Sequence, residues 1–134
     1  MIRLHVVAEG QTEEEFVNSV LVDHFGGFEV STDVRCVATS RERKKIHRGG
    51  MLDYARAKKD LVLWMKEDRR PDAFFTTMFD LYNLYALPRD FPGFSAASVE
   101  QDPYDRIRAL ETAFAADVAH QRFVPYLQLH DTTQ

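Results

Sequence analysis

The sequence predicts an α/β fold built on a mainly parallel four-stranded sheet. Short apolar runs alternate with helical patterns along the chain, in the order β-α-β-α-β-loop-α-β. This alternation is typical of parallel strands joined by right-handed helical crossovers. Two of the apolar runs end in an acidic residue, Glu9 and Asp80. If these strands are neighbours, both acids lie at the carboxyl edge of the sheet, where open α/β folds bind ligands.

Size and composition indicate a single domain spanning residues 1–134. The chain is 45% hydrophobic, which supplies enough apolar material for a core. A net charge of −4 argues against a protein that binds polyanions over its whole surface. With Cys36 alone, no intramolecular disulfide can form, which favours the reducing cytoplasm. No signal peptide or membrane span is recognisable, so we expect a cytoplasmic protein with no membrane partner.

The first predicted strand and helix occupy the N-terminal part of the chain. Residues 2–8 form a short apolar run suited to a strand buried on both faces. Thr12 is then expected to cap a helix, because the three glutamates at 13–15 follow it and acids favour the first helical turn. Apolar residues continue at helical spacing up to the glycines at 26–27, where we expect the helix to end.

A cluster of basic residues follows the second predicted strand, at residues 34–38. Five of the 17 Lys and Arg residues fall within eight positions: Arg41, Arg43, Lys44, Lys45 and Arg48. A solvated loop would explain this cluster, and so would an arm that contacts the phosphates of a nucleic acid. The acidic character of the rest of the chain favours the nucleic-acid arm.

The middle of the chain contains a helix and a third strand. Residues 51–70 have helical periodicity and end before Pro71, which cannot continue a helix. Residues 73–79 are rich in aromatic and β-branched side chains, as in a buried strand, and Asp80 follows them directly.

The C-terminal part begins with a long loop, residues 81–98, which we expect to fold over the edge that carries the acids. Pro103 is predicted to start a helix that runs to about His120. Residues 123–129 form the fourth strand, which Pro125 restricts to the edge of the sheet or to its own first residues. The chain stops soon afterwards, so the sequence leaves open whether the domain is truncated at its C-terminus.

Three acids form the candidate site. Glu9 and Asp80 come from two strand ends, and Glu13 lies one helical turn from Glu9. Carboxylate oxygens from separate elements suit a hard divalent cation such as Mg²⁺. Structural roles are open as well, because helix starts favour acids such as Glu13 and Asp is common in turns. His5, by contrast, is expected to be packed in the sheet rather than to act as a ligand.

Four ordered blocks resemble the DUF4276 family, whose domain is similar to Toprim: VAEGQTEEEF, HRGGMLDYARAKKDL, TTMFDLYNLYALPRDFPGF and FVPYLQLH. The resemblance covers most of the chain and implies a Toprim-like three-layer α/β/α sandwich. It also implies phosphodiester chemistry that depends on Mg²⁺ or Mn²⁺, with Glu9 and Asp80 as catalytic residues and Glu9, Glu13 and Asp80 as metal ligands. Many Toprim domains have Asp-x-Asp at the later motif, whereas this chain has Asp80-Leu81-Tyr82.

The function implied by this resemblance is a metal-dependent nuclease acting on DNA or RNA. Its relatives resemble effectors of bacterial anti-phage defence systems that work with a partner ATPase. The alternative is a catalytically incomplete Toprim-like subunit that docks on the ATPase, because Tyr82 stands where a second acid would be expected. A phosphate or nucleotide binder that uses the turn at Gly10 is a third reading, although the chain has no P-loop. The sequence is also compatible with a homo-oligomer.

Overall fold

A computed structural model describes residues 1–37, 52–81 and 87–129, and it confirms the α/β fold. The sheet has four strands: β1 (Ile2–Ala8), β2 (Val30–Cys36), β3 (Ala73–Leu81) and β4 (Leu127–Leu129). Their order across the sheet is β2-β1-β3-β4, and every pairing is parallel. The predicted parallel sheet of four strands is therefore correct, with β1 and β3 as its central neighbours.

Helices lie on both faces of the sheet, consistent with a three-layer α/β/α sandwich. They are α1 (Gln11–Phe16), a π-helical turn (Val17–Leu21), α2 (Val22–Gly26), α3 (Tyr54–Glu67), α4 (Phe94–Ser98) and α5 (Pro103–Val118). The larger core lies under α3 and α5, where Leu61 and Phe114 pack with Phe75 and Phe79 of β3. None of the helices in the described ranges is long and apolar enough to cross a membrane.

The opposite face of the sheet is only partly covered. There Val6 and Met78 pack against Val17 of the π-helical turn, in a second and smaller core. Over β3 and the segment before β4, the described residues leave an apolar groove of about 860 Å³. Val124 and Tyr126 line this groove and are 68% and 48% exposed.

The helix starts differ in part from the sequence prediction. Thr12 was expected to cap the first helix, and this is wrong: α1 starts at Gln11, and Gly10 is its N-cap residue without a side-chain capping bond. The expected acids do occupy the first turn. Pro103 starts α5 as predicted, behind Asp102, whose carboxylate accepts a hydrogen bond from the Tyr104 amide at 2.8 Å.

Other boundaries also shift. The second strand begins at Val30, four positions before the predicted start, because it pairs with β1 from Ile2 onwards. The stretch predicted as a loop contains the short helix α4 in its described part, and Phe91 is buried in the core. As expected from Pro125, β4 is short and lies at the edge of the sheet.

Candidate functional site

The ends of the two central strands bring Glu9 and Asp80 together. Ala8 lies opposite Met78 in the parallel register, and the Glu9 amide donates a hydrogen bond to the Met78 carbonyl at 3.2 Å. The Glu9 side chain then turns towards β3, where its Oε1 accepts a hydrogen bond from the Asp80 amide at 2.9 Å. The structure thus places both acids at the carboxyl edge of the sheet, as the sequence predicts.

The surroundings of Glu9 raise the pKa of its carboxyl group from 4.5 to about 7. Burial contributes most, because a desolvated carboxylate is disfavoured relative to the neutral acid. The hydrogen bond from the Asp80 amide acts in the opposite direction, while the charges of Glu13 and Asp80 raise the pKa further. Glu9 can therefore gain or lose a proton near neutral pH.

Glu13 approaches the strand end from the first turn of α1. Its Oε1 lies 3.5 Å from the position that a Cβ on Gly10 would occupy, so the side chain folds back towards β1. Gly10 itself has an extended backbone with φ of −156°, a conformation open to any residue. Glycine is therefore not needed at this turn for its backbone freedom.

Two further groups at this edge were missed by sequence reasoning. Cys36, at the carboxyl end of β2, donates a hydrogen bond from its Sγ to Glu14 Oε1 at 3.4 Å. Cys36 lies opposite Ala8 in the β1–β2 register, next to the strand end that carries Glu9. The only hint of this contact in the sequence is the run of acids in α1. The Asp80 amide that holds Glu9 has no sequence signal at all.

The three predicted metal ligands lie near one another but do not form a closed set of ligands. In the described ranges, no group of three or more His, Cys, Asp or Glu side chains is arranged to hold a metal ion. The donor chemistry nevertheless fits Mg²⁺ or Mn²⁺, because both cations prefer carboxylate oxygens. A cation between Glu9 and Asp80 would also offset the mutual repulsion that raises the Glu9 pKa. Metal binding by Glu9, Glu13 and Asp80 stays a prediction.

Several predicted residues lie outside the described part of the chain. These are the nucleic-acid candidates Arg41, Arg43, Lys44, Lys45 and Arg48, together with Tyr82 of the later motif. Their role stays a prediction. His5 lies within the described part, and it is buried in the sheet between Trp64 and Phe75, as predicted.

Comparison with known proteins identifies the family of the chain. No curated protein and no solved structure matches the chain. The family profile described as "Domain of unknown function (DUF4276)" matches residues 8–132, a range that includes Glu9, Glu13 and Asp80. Because this match spans nearly the whole sequence, the chain belongs to the DUF4276 family.

Proposed function

We propose that this protein is a Toprim-like, metal-dependent nuclease that hydrolyses phosphodiester bonds of DNA or RNA. The observation that carries the proposal is the convergence of Glu9 and Asp80, 71 positions apart, at one edge of a parallel sheet. In open α/β folds this edge is where ligands bind. A partly buried acid at this edge costs free energy when it is ionised, and a role in metal binding or proton transfer would account for its presence there.

The residues of the edge can be assigned complementary roles. Asp80 and Glu13 would hold Mg²⁺ or Mn²⁺, and Glu9 would either complete the ligand set or act as the general base. The bound cation would supply neutralisation of phosphoryl charge and a lower pKa for an attacking water. A carboxyl pKa of about 7 suits proton transfer at neutral pH, since a general base works best when its pKa is near the working pH.

The partners follow from the resemblance and from the basic residues. Arg41, Arg43, Lys44, Lys45 and Arg48 would contact the phosphates of the nucleic-acid substrate. The similarity to Toprim-like effectors further suggests action in anti-phage defence together with a partner ATPase. In this scheme the ATPase controls access to the substrate, and the chain described here cuts it.

Cleavage assays with matched variants test the proposal. The purified protein is incubated with DNA and RNA, single- and double-stranded, in Mg²⁺ or Mn²⁺. Glu9→Gln and Asp80→Asn should each lower cleavage by about 100-fold or more, the range typical of losing a general base or a metal ligand. Glu100→Gln, an exposed carboxylate outside the site, should cleave at the normal rate. Unchanged cleavage by folded Glu9→Gln would refute the assignment.

An interaction subunit without activity of its own is the second candidate. Tyr82 in place of a second acid favours it. This alternative predicts stable binding to an ATPase encoded beside the chain. It also predicts no heat of Mg²⁺ or Mn²⁺ binding by calorimetry. A calorimetric signal that disappears in Asp80→Asn would exclude it in favour of the nuclease.

A further inference from the structure

The second strand of the sheet leaves one side of its backbone unpaired by any other described strand. β2 lies at the end of the order β2-β1-β3-β4, so β1 is its one neighbour in the described ranges. Just after β2, the Val37 amide donates a hydrogen bond to the Ala8 carbonyl at 2.9 Å, so this amide points towards β1. Backbone groups alternate in direction along a strand. Those of Asp33 and Arg35 therefore also point towards β1, whereas those of Val34 point outwards.

A sheet edge with unpaired amide and carbonyl groups is a template for a further strand. β2 is seven residues long, whereas β4 at the opposite edge has three. Edges that resist pairing often carry a lysine, a proline or a bulge. β2 contains neither lysine nor proline, and it pairs with β1 without interruption from Val30 to Cys36. Its length and regularity suit the addition of another strand.

Two opposite charges lie side by side on this strand. Asp33 and Arg35 are two positions apart, so their side chains lie on the same face of the sheet, where both line one pocket. The two side chains are 66% and 52% exposed. Charges of a single sign would repel a second copy of the strand, whereas an acid and a base at this spacing can be complementary to themselves.

This complementarity selects one arrangement of two copies. In an antiparallel pair with Val34 opposite the partner's Val34, Asp33 lies opposite the partner's Arg35 and Arg35 lies opposite the partner's Asp33. Moving the centre by one residue would place two aspartates or two arginines directly opposite each other, which is destabilising. The backbone favours the same centre, because the outward amide and carbonyl of Val34 can form both hydrogen bonds of an antiparallel residue pair.

Both charged side chains can make the contact across the two strands. Arg35 pairs with Glu67 at 3.1 Å and lies over the Trp64 ring at 4.1 Å. These contacts restrict the guanidinium before a partner binds, and its five N–H donors leave room for a second carboxylate. The contact of Asp33 with His5 Nδ1, at 3.8 Å, is longer than a hydrogen bond. The Asp33 carboxylate can therefore accept hydrogen bonds from the partner's Arg35.

We propose that the protein forms a two-fold symmetric dimer in which β2 pairs antiparallel with the partner's β2, centred on Val34. The two four-stranded sheets then form one continuous sheet. The two Glu9 side chains lie at opposite edges of this sheet, because the strands of the two copies run in opposite directions. Val6, which lies opposite Val34, precedes Glu9 by three residues, so the two Glu9 positions are about 20 Å apart along the strand direction. The dimer requires no cleavage at either edge, so it can be tested independently of the nuclease activity.

Two charge-reversal variants of the full chain test the dimer. Arg35→Asp leaves two negative charges on β2, and Asp33→Arg leaves two positive ones. Each variant should dimerise at least about tenfold more weakly than the unmodified chain, because both cross-strand pairs become repulsive. A mixture of the two variants should form a heterodimer, because every cross-strand pair is then of opposite charge again. Sedimentation and light scattering measure these masses, and Arg69→Asp, at an exposed arginine outside β2, should dimerise normally.

Hydrogen exchange of single amides locates the contact. The Val34 amide points outwards in the single chain, so it should become protected from exchange as the protein concentration rises and the dimer forms. The amides of Asp33 and Arg35 should be protected at every concentration, because they point towards β1. This alternation is specific to pairing through the outer side of β2.

Three results would overturn the proposal. One is an unmodified chain that stays monomeric at every concentration, which would leave the edge for a strand of a different protein. Another is a mixture of the two reversed variants that stays monomeric although circular dichroism shows both to be folded. The third is a dimer that withstands each single reversal while the Val34 amide exchanges freely. The copies would then meet at another surface, such as the groove lined by Val124 and Tyr126.

Discussion

At the scale of single residues, the contribution of the Glu9 carboxyl group to the stability of the fold depends on whether the group is protonated. One hydrogen bond from the Asp80 amide stabilises the carboxylate, but burial and two neighbouring acids outweigh that bond. The native state therefore binds a proton on Glu9 more tightly than the unfolded chain does. As pH rises from about 4.5 to about 7, the unfolded chain loses this proton first, and the native state loses stability.

Glu9→Gln should consequently stabilise the metal-free protein at high pH. The neutral amide keeps an acceptor oxygen for the Asp80 amide and removes the buried charge. Urea unfolding in EDTA should show a gain on the order of 2 kcal/mol at pH 8 and little change at pH 4.5, where Glu9 is protonated in the native state and half protonated in the unfolded chain. Equal effects at the two pH values would show that the ionisation of Glu9 has no bearing on stability.

Glu9 and Asp80 could be identified in the sequence because acids at the ends of apolar strands are unusual. Their position at one edge of the sheet follows from the geometry of parallel strands. The bond that orients Glu9 could not be predicted, because its donor is a backbone amide that every residue except proline carries. The contact between Cys36 and Glu14 was missed for a related reason, since it depends on where α1 crosses the end of β2.

At the scale of secondary-structure elements, the presence of the strands and long helices could be predicted from the sequence, but their first and last residues could not. The four strands and the long helices follow from apolar periodicity, which local sequence encodes. The early start of β2 at Val30 and the short helix α4 depend on tertiary contacts, namely pairing with β1 and packing against α5. The predicted capping residue of α1 was wrong because Thr12 suits an N-cap locally, whereas the helix is capped two positions earlier, at Gly10.

Gly93, the residue before α4, shows how a single backbone conformation supports such packing. It has a φ of +81°, and a Cβ built there would lie 2.8 Å from the Ala113 Cβ and 3.1 Å from the Ala109 carbonyl oxygen of α5. Gly93→Ala should lower the free energy of unfolding by about 2 to 4 kcal/mol, through backbone strain and overpacking together. Urea denaturation measures this loss.

Gly26→Ala is the matched control. A Cβ at Gly26 would meet nothing within 4 Å, and the residue ends α2 without a positive φ. The change should be within about 1 kcal/mol and in the stabilising direction, because alanine favours the helix over glycine. If both glycines tolerated alanine equally, the close approach of α4 and α5 would be incorrect.

At the scale of the whole molecule, apolar surface is distributed unevenly over the two faces of the sheet. Parallel sheets are usually covered on both faces, because their strands are apolar throughout. Here the larger core fills one face, and the groove lined by Val124 and Tyr126 remains accessible in the described part of the other. The sequence predicted helices on both faces of the sheet. The strand order that leaves part of the second face accessible depends on pairing between strands that are far apart in the chain.

The groove should bind an apolar dye in the isolated protein. Val124→Lys with Tyr126→Lys should reduce the fluorescence of bound anilinonaphthalene sulfonate, because the charges interrupt the apolar patch. Val99→Lys, at another exposed valine, should leave the signal unchanged. The unfolding free energy of the double variant should change by no more than about 0.5 kcal/mol for each exposed position. Equal dye binding by all three proteins would place the accessible apolar surface elsewhere.

The central position of β1 also determines when the protein can acquire its shape during synthesis. Its first partner, β2, leaves the ribosome early, but Ala73, which pairs with Arg3, emerges only after roughly another quarter of the chain has been translated. A two-stranded ribbon is only marginally stable in water, so the nascent N-terminal segment has no stable core until β3 has been synthesised. Glu9 meets the Asp80 amide only once β3 has docked, and any chemistry at that edge is therefore absent from incomplete chains.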